Sequence, residues 1–141
     1  MNSTYARRAI LNHMFRSTAF AQLGTVYVAF GSADFTENNI IANELTLGVG
    51  GYARIAIGTA DADWTAPVTS GGREMIANVG TLSGGTATAN LNGGNPIGYF
   101  GIYDAATVGN LIRFGAFGVP ITILTGYDIT IAPGALQLFQ G

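Results

Sequence analysis

The sequence IGYFGIYD, residues Ile97 to Asp104, alternates with the period of an extended strand. Successive side chains of a strand point to opposite faces, so Phe100 and Ile102 share one face while Tyr99 and Tyr103 share the other. This alternation predicts a β-strand with two large apolar side chains on one face and two tyrosines on the opposite one.

Short extended runs of the same kind, separated by glycines and turn residues, fill the chain from Gly24 onward. Their number and their spacing of about 8–12 residues are typical of a β-sandwich or barrel. The predicted fold class is therefore mainly β, an antiparallel β-sandwich (jelly-roll-like) of about eight strands. No strand–helix–strand unit appears, which argues against a parallel α/β sheet. The other predicted strands are Thr25 to Phe30, Tyr52 to Ile57, Arg73 to Leu82, Thr86 to Leu91, Asn110 to Phe117, Ile121 to Leu124, Tyr127 to Ile131 and Ala135 to Phe139.

The first twenty residues have a different pattern. No Gly or Pro occurs from Thr4 to Phe20, and Ala6, Ile10 and Met14 recur at helical spacing. A short polar side chain at Ser3 can cap the first turn, as can the neighbouring asparagine. We predict one N-terminal amphipathic helix that ends before Gly24, and two units: the helix in residues 1–22 and the β-sandwich domain in residues 23–141.

Charge is scarce throughout. The 141 residues include six arginines, no lysine and eight acids, so charged residues make up 10%, against about 25% in a typical soluble domain. A surface so poor in charge favours burial against other subunits. The alternative is a monomer with a neutral surface rich in glycine and threonine.

The composition also excludes several functional classes. Without cysteine the chain has neither a disulfide scaffold nor a thiolate metal site, and without lysine it has no P-loop. A net charge of −2 with no basic run argues against binding to nucleic acid. No stretch is long and apolar enough for a membrane helix, and Asn12, His13 and Arg16 interrupt any secretory signal.

Few residues could carry out catalysis. His13 is the single histidine, and its place in the predicted helix beside Arg16 favours a contact role over a catalytic triad. Asp61 and Asp63 form an Asp-x-Asp pair in a long loop, but the further ligands of a calcium loop are missing after them. The glycine clusters do not fit a nucleotide-binding loop. We therefore predict no enzyme, no cofactor and no metal site.

Two arginines have an unusual setting. Arg54 and Arg113 each stand on the polar side of an otherwise apolar predicted strand, with Arg54 pointing away from Ile55. Such arginines commonly pair with a carboxylate across an interface. The sequence does not choose among the possible carboxylates, which are Glu44, Glu74 and Asp104.

Aromatic side chains allow two interpretations. Tyr99 and Tyr103 could form a stacking platform for a sugar, although aromatics at this spacing are more typical of a core or a subunit interface. The long loop from Gly58 to Gly72 holds Trp64, and such loops often serve function or assembly. The full set of candidate interface residues is Tyr5, Arg7, Arg8, Phe15, Arg16, Arg54, Trp64 and Arg113.

Several segments together carry a resemblance to a known family. They are RRAILNHMFRSTAF (Arg7 to Phe20), TVYVAF, GGYARIAI (Gly50 to Ile57), GYFGIYDAATVGNLIRFGAF (Gly98 to Phe117) and YDITIAPGALQLF (Tyr127 to Phe139). In this combination and order the chain resembles small virion structural proteins of tailed bacteriophages, often labelled tail fibre or tail proteins. Its most specific pieces are the Gly-Gly-Tyr-Ala-Arg turn and the Gly-Ile-Tyr-Asp-Ala-Ala strand end.

The resemblance implies a non-enzymatic component of the virion. One compact β-domain with a helix and no repetitive shaft favours a capsid cement or decoration protein that bridges capsid subunits. The alternative is a tail-fibre, collar or receptor-binding module that contacts host glycan. The expected partners are the major capsid protein or other virion subunits and further copies of the chain, as a dimer or trimer, with no nucleic acid and no membrane.

Overall fold

The computed structural model describes residues 1–38 and 43–141. In these residues the chain forms one α-helix followed by nine β-strands. The helix is α1 (Thr4–Phe15), and the strands are β1 (Thr25–Gly31), β2 (Ile55–Gly58), β3 (Val68–Ser70), β4 (Arg73–Ala77), β5 (Leu82–Thr86), β6 (Ile97–Tyr103), β7 (Leu111–Ile121), β8 (Asp128–Ile131) and β9 (Gln137–Gln140).

The strands make three small antiparallel sheets. The largest has the order β2-β1-β6-β7, the second β3-β4-β9, and the third pairs β5 with β8. The prediction of a mainly β, antiparallel fold after one N-terminal helix is confirmed. The finer prediction of a jelly-roll-like sandwich is not, because the described strands form three sheets and show no closed sandwich.

The large sheet separates two apolar clusters. On one side, Val28 of β1 and Phe100 of β6 belong to the larger cluster, which also includes residues of β8. On the other side, Ala29 and Tyr103 pack with Phe35 in a smaller cluster. Strands β1 and β6 therefore present the two faces that their alternation predicts, and both faces are covered.

Strand β7 departs from simple alternation in two places. A register shift beside Tyr103 puts Leu111 on the same side as Phe114, whereas strict alternation would separate them. A second shift lies between the pairs Ile97–Ile121 and Tyr99–Ala116, and there Val119 is 81% exposed. Leu111 and Phe114 therefore do not alternate as the predicted strand from Asn110 to Phe117 would have them, because a bulge adds an unpaired residue and reverses the facing of the residues beyond it.

Other boundaries also differ from the predictions. Helix α1 ends at Phe15, well before the predicted limit at Gly24, and its C-cap Arg16 has extended backbone angles. The predicted long loop contains the short strand β3, and β5 lies before the stretch predicted as a strand from Thr86 to Leu91. The division of the chain into residues 1–22 and 23–141 stays a prediction.

Candidate functional site

Residues 1–3 attach the N-terminus to the outer edge of β7. The backbone N–H of Phe114 donates to the carbonyl of Met1 at 2.9 Å, and the N–H of Ser3 donates to the carbonyl of Ile112 at 3.0 Å. Asn2 forms an antiparallel bridge with Arg113 between these two bonds. The start of the chain therefore adds a short extended segment to the large sheet before α1 begins.

Ser3 fixes where α1 begins and how it leaves the sheet. Its side chain is buried, accepts a hydrogen bond from the N–H of Ala6 at 3.1 Å and donates one to the carbonyl of Leu111. The N–H of Thr4 donates to the carbonyl of Glu37 at 2.9 Å. The N-cap thus satisfies a free helix N–H and ties the first turn to β7 at the same time.

Helix α1 is attached at its first turn but is otherwise little covered. Ala6 is its single buried residue. Leu11, Met14 and Phe15 are 57%, 64% and 75% exposed, and their spacing of three and four residues places them on one face. We call these three side chains the helix stripe. An apolar face of this kind lacks a partner within the described chain.

Arginines flank the helix stripe. Arg7 is already paired, with its guanidinium 2.7 Å from the carboxylate of Glu37, and both side chains are nearly half exposed. Arg8 and Arg16 are exposed, and none of the described carboxylates lies within ion-pair distance of them. Tyr5 is 41% exposed and meets Phe20 edge to face at 6.4 Å.

A groove of about 590 Å³ opens between the large sheet and the β3-β4-β9 sheet. Its walls are mainly apolar, and Asp61 and Arg113 add one charge of each sign. The indole N–H of Trp64 donates to the carbonyl of Gly58 at 2.9 Å, which holds this half-buried ring in the wall. The apolar side chains that line the groove include Val26, Trp64, Pro67, Ile76, Ile112 and Leu138.

Arg113 is half-buried in the groove wall without an acidic partner among residues 1–38 and 43–141. Its guanidinium donates to the side-chain oxygen of Gln140 at 2.9 Å and to the carbonyl of Phe139. Burial lowers the pKa of this guanidinium from its usual value. The interface pairing predicted for Arg113 stays a prediction.

Arg54 is buried and paired inside the subunit. Its Nε and Nη2 donate to the two carboxylate oxygens of Glu44 at 2.8 and 2.7 Å, and the exposed fractions of the two side chains are 1% and 2%. The guanidinium also stacks on the ring of Tyr103, 3.7 Å from the centroid. Of the three predicted carboxylates the structure selects Glu44 of the same chain, because Arg54 precedes β2 and turns inward. It does not stand on an exposed strand face.

The same guanidinium holds the β6–β7 connection. Nη1 of Arg54 donates to the carbonyls of Ala105 and Val108 at 2.9 and 2.7 Å. Val108 has a φ of 54°, a left-handed value that a β-branched residue rarely adopts, and its side chain is 70% exposed. The buried ion pair thus fixes a strained loop at one end of the large sheet.

Two tyrosines complete this buried group. The hydroxyl of Tyr52 donates to Glu44 at 3.1 Å and accepts from the N–H of Phe30 at 2.9 Å. Burial raises the pKa of Tyr52 well above its usual value and that of Tyr103 to about 12, with the charge of Glu44 adding to both shifts. Tyr103 is fully buried and Tyr99 is half-buried. Both pack in the smaller core, which agrees with the interpretation favoured for aromatics at this spacing and leaves no sugar platform at these two residues.

The remaining chemical candidates have structural partners. His13 is exposed, and its Nδ1 accepts from the N–H of Phe20 at 3.3 Å. Asp63 accepts from the N–H of Ala60 at 3.1 Å and so closes a turn, whereas Asp61 is exposed in the groove wall. No three His, Asp or Glu side chains of the described ranges come together as metal ligands.

Sequence reasoning missed part of this surface. It named Phe15 as an interface residue but left out Leu11 and Met14, although their spacing from Phe15 was a usable signal. The groove was not foreseeable, since its walls come from segments as distant as Val26 and Leu138.

Comparison with known proteins gives the family. No curated protein matches the chain. As a separate finding, no helix of the described residues has the length and apolarity that a membrane crossing needs. A family model described as "Podophage GP4 fiber I protein gp80" matches residues 1–139. This match confirms the resemblance to tailed-phage virion proteins and the non-enzymatic, virion-located role. It supports the predicted tail-fibre alternative and gives no support to a capsid cement. With nearly its whole length matched, the chain belongs to the podophage fibre protein family of gp80.

Proposed function

We propose that this chain is a structural subunit of the fibre that joins neighbouring virion subunits through the helix stripe. The observation that carries the proposal is the exposure of Leu11, Met14 and Phe15, between 57% and 75%, on a helix fixed at its first turn to β7. A helix held in place presents its apolar face in a constant direction, which lowers the ordering cost of binding.

The stripe is large enough to matter energetically. Full burial of one such side chain contributes about 1.5–3 kcal/mol. Because the three side chains of the stripe are still more than half exposed, covering them would contribute about 4 kcal/mol. That suits a contact that is modest alone and becomes strong when repeated over several copies.

The test replaces two stripe residues in the full chain, Leu11→Ser with Phe15→Ser. We expect the variant to fold with an unchanged circular dichroism spectrum and to be lost from assembled particles at least about tenfold, the change that 1.4 kcal/mol produces. Val119→Ser is the matched control, because Val119 is 81% exposed and far along β7. Particles that take up the double variant at the wild-type level would refute the proposal.

Contact with a host glycan is a second candidate function. The observation that favours it is the place of Trp64 and Arg113 on the wall of one groove, since a ring and a guanidinium suit a sugar that bears an acid group. A glycan array probed with wild type and with Trp64→Ala tests it. Wild-type binding that the substitution removes supports the candidate, and an array without signal rejects it.

A further inference from the structure

We infer that the partner of the helix stripe is the groove of a second copy of this chain, so that copies associate head to tail. The inference rests on the proposed function of the stripe and adds the identity of the surface that receives it. Both surfaces belong to the same chain, and neither is covered by described residues.

The shapes and chemistry of the two surfaces match. A helix that binds in an apolar groove uses side chains at positions i, i+3 and i+4, which is the spacing of Leu11, Met14 and Phe15. The groove has a volume of about 590 Å³ and a wall of aliphatic side chains with one indole and one proline. Three side chains of this size would fill much of that space and exclude its water.

Positive and negative charges are distributed unevenly between the helical region and the β-region. Residues 1–22 contain three arginines and no acid, a net charge of +3, whereas residues 23–141 contain three arginines and eight acids, a net charge of −5. Like-charged helices repel one another, so a helix-to-helix dimer is disfavoured. A contact between the helix of one copy and the β-region of another is favoured.

Individual charged groups of the two surfaces also complement one another. Arg8 and Arg16 flank the stripe, and Asp61 stands exposed in the groove wall with no described side chain bonded to it. Arg113 lines both this groove and its continuation toward Glu74, a continuation that Asp61 does not line. Because Arg8 and Arg16 stand at opposite ends of the stripe, one of them would lie beside Asp61 and the other toward Glu74.

Stripe and groove are different surfaces, which makes the contact heterologous. Such contacts repeat from copy to copy and close into a ring or continue as an open filament, depending on the rotation at each step. Head-to-tail association thus gives a chain of 141 residues a way to build an extended object.

One-sided variants test this arrangement. The stripe variant Leu11→Ser/Phe15→Ser keeps its groove, and the groove variant Ala66→Lys keeps its stripe. Ala66 is an exposed residue of the groove wall, so a lysine there blocks the groove and repels the arginines of the incoming helix without disturbing the core. Unchanged thermal unfolding verifies that both variants fold.

Sedimentation of the full chain gives the readout. We expect the wild type to form species larger than a dimer, each variant alone to be monomeric, and an equal mixture of both to stop at a heterodimer. A mixture that stays monomeric, or a groove variant that still associates with itself, would overturn the inference. If the groove variant enters particles normally while the stripe variant does not, the proposed function stands and the self-association fails.

A charge variant gives an independent measurement. In the stripe variant, which keeps its groove, Asp61→Asn removes the acid and leaves the shape of the groove nearly unchanged. We therefore expect the dissociation constant of the heterodimer to rise up to about fivefold, the effect of an exposed ion pair. The same variant should reduce the dependence of association on ionic strength. No change in either quantity would remove Asp61 from the contact and overturn its proposed pairing with a helix arginine.

Discussion

Replacement of Arg54 by methionine tests whether the buried ion pair is needed for stability. Methionine has a similar length and fits an apolar setting, so the change removes the charge and the donors with little loss of volume. It leaves the carboxylate of Glu44, whose side chain is 2% exposed, without its cation. It also deprives the carbonyls of Ala105 and Val108 of the donor that holds them.

The expected loss is large compared with the stability of a small domain. Removing one partner of a buried ion pair costs about 3–5 kcal/mol, because the other charge stays buried without compensation. Two bonds to the carboxylate at 2.7 and 2.8 Å and two to carbonyls at 2.7 and 2.9 Å place Arg54 well within this range. We therefore expect the free energy of unfolding to fall by about 4 kcal/mol, out of about 5–15 kcal/mol for a typical domain.

Denaturant unfolding monitored by circular dichroism measures this loss, and a double-mutant cycle isolates the pair. Glu44→Gln removes the acid alone, and the double variant Glu44→Gln/Arg54→Met removes both charges. We expect the double variant to be more stable than Arg54→Met by about 2 kcal/mol, because no isolated charge is then buried.

Two results would refute the reasoning. A loss below about 1 kcal/mol for Arg54→Met would mean that water solvates Glu44 in the folded chain, as it does an exposed pair. A double variant no more stable than Arg54→Met would show that the carbonyl bonds to Ala105 and Val108, and not the charge, account for the loss.

Three further predictions concern backbone geometry, a buried amide and the tyrosines. Gly109→Ala should lower the free energy of unfolding in a denaturant titration by about 2 kcal/mol, because φ is 71° and the added Cβ would lie 2.6 Å from the side chain of Asp104. In the same titration the control Gly118→Ala should be neutral, because a Cβ at Gly118 meets open space. Asn78→Ala should cost about 3 kcal/mol by thermal unfolding, since the buried amide makes three hydrogen bonds, and a loss below about 1 kcal/mol would contradict this. Because the pKa values of Tyr52 and Tyr103 are raised, their contribution to stability is constant below about pH 10. Above it, stability falls by about 1.4 kcal/mol per pH unit for each tyrosine until that tyrosine titrates in the folded chain, at about 12 for Tyr103, because the unfolded chain binds fewer protons than the folded one. An alkaline titration followed by tyrosinate absorbance and by circular dichroism checks this prediction. Titration of all six tyrosines near pH 10 while the protein is still folded would contradict it.

The predictable part of the fold is the part with strong local alternation. Strands β1 and β6 carry large side chains on both faces. The alternation around Val28 and around Phe100 therefore predicts each strand without knowledge of distant segments. Strand β5, Leu82–Thr86, has one large apolar residue and two glycines, so its pairing with β8 depends on tertiary contacts that propensity does not report.

The end of α1 and the pairing of Arg54 show the same limit. No Gly or Pro occurs between Phe15 and Gly24, yet the helix ends at Phe15 and Arg16 is extended, so the sequence carries no signal for this end. Glu44 and Arg54 meet across a loop of nine intervening residues, and only the path of that loop selects Glu44 over the other acids. The helix stripe could be predicted from the spacing of its residues, whereas the groove could not be predicted from the sequence.

The attachment of residues 1–3 to β7 has a consequence for solubility. An unpaired outer strand offers free N–H and C=O groups to any other strand and invites indiscriminate aggregation. Here Met1 and Ser3 occupy those groups along the first half of the strand, and Pro120, which has no N–H to donate, stands near its other end. Main-chain pairing between molecules is thereby discouraged, and recognition among densely crowded subunits is left to side chains, which can be selective.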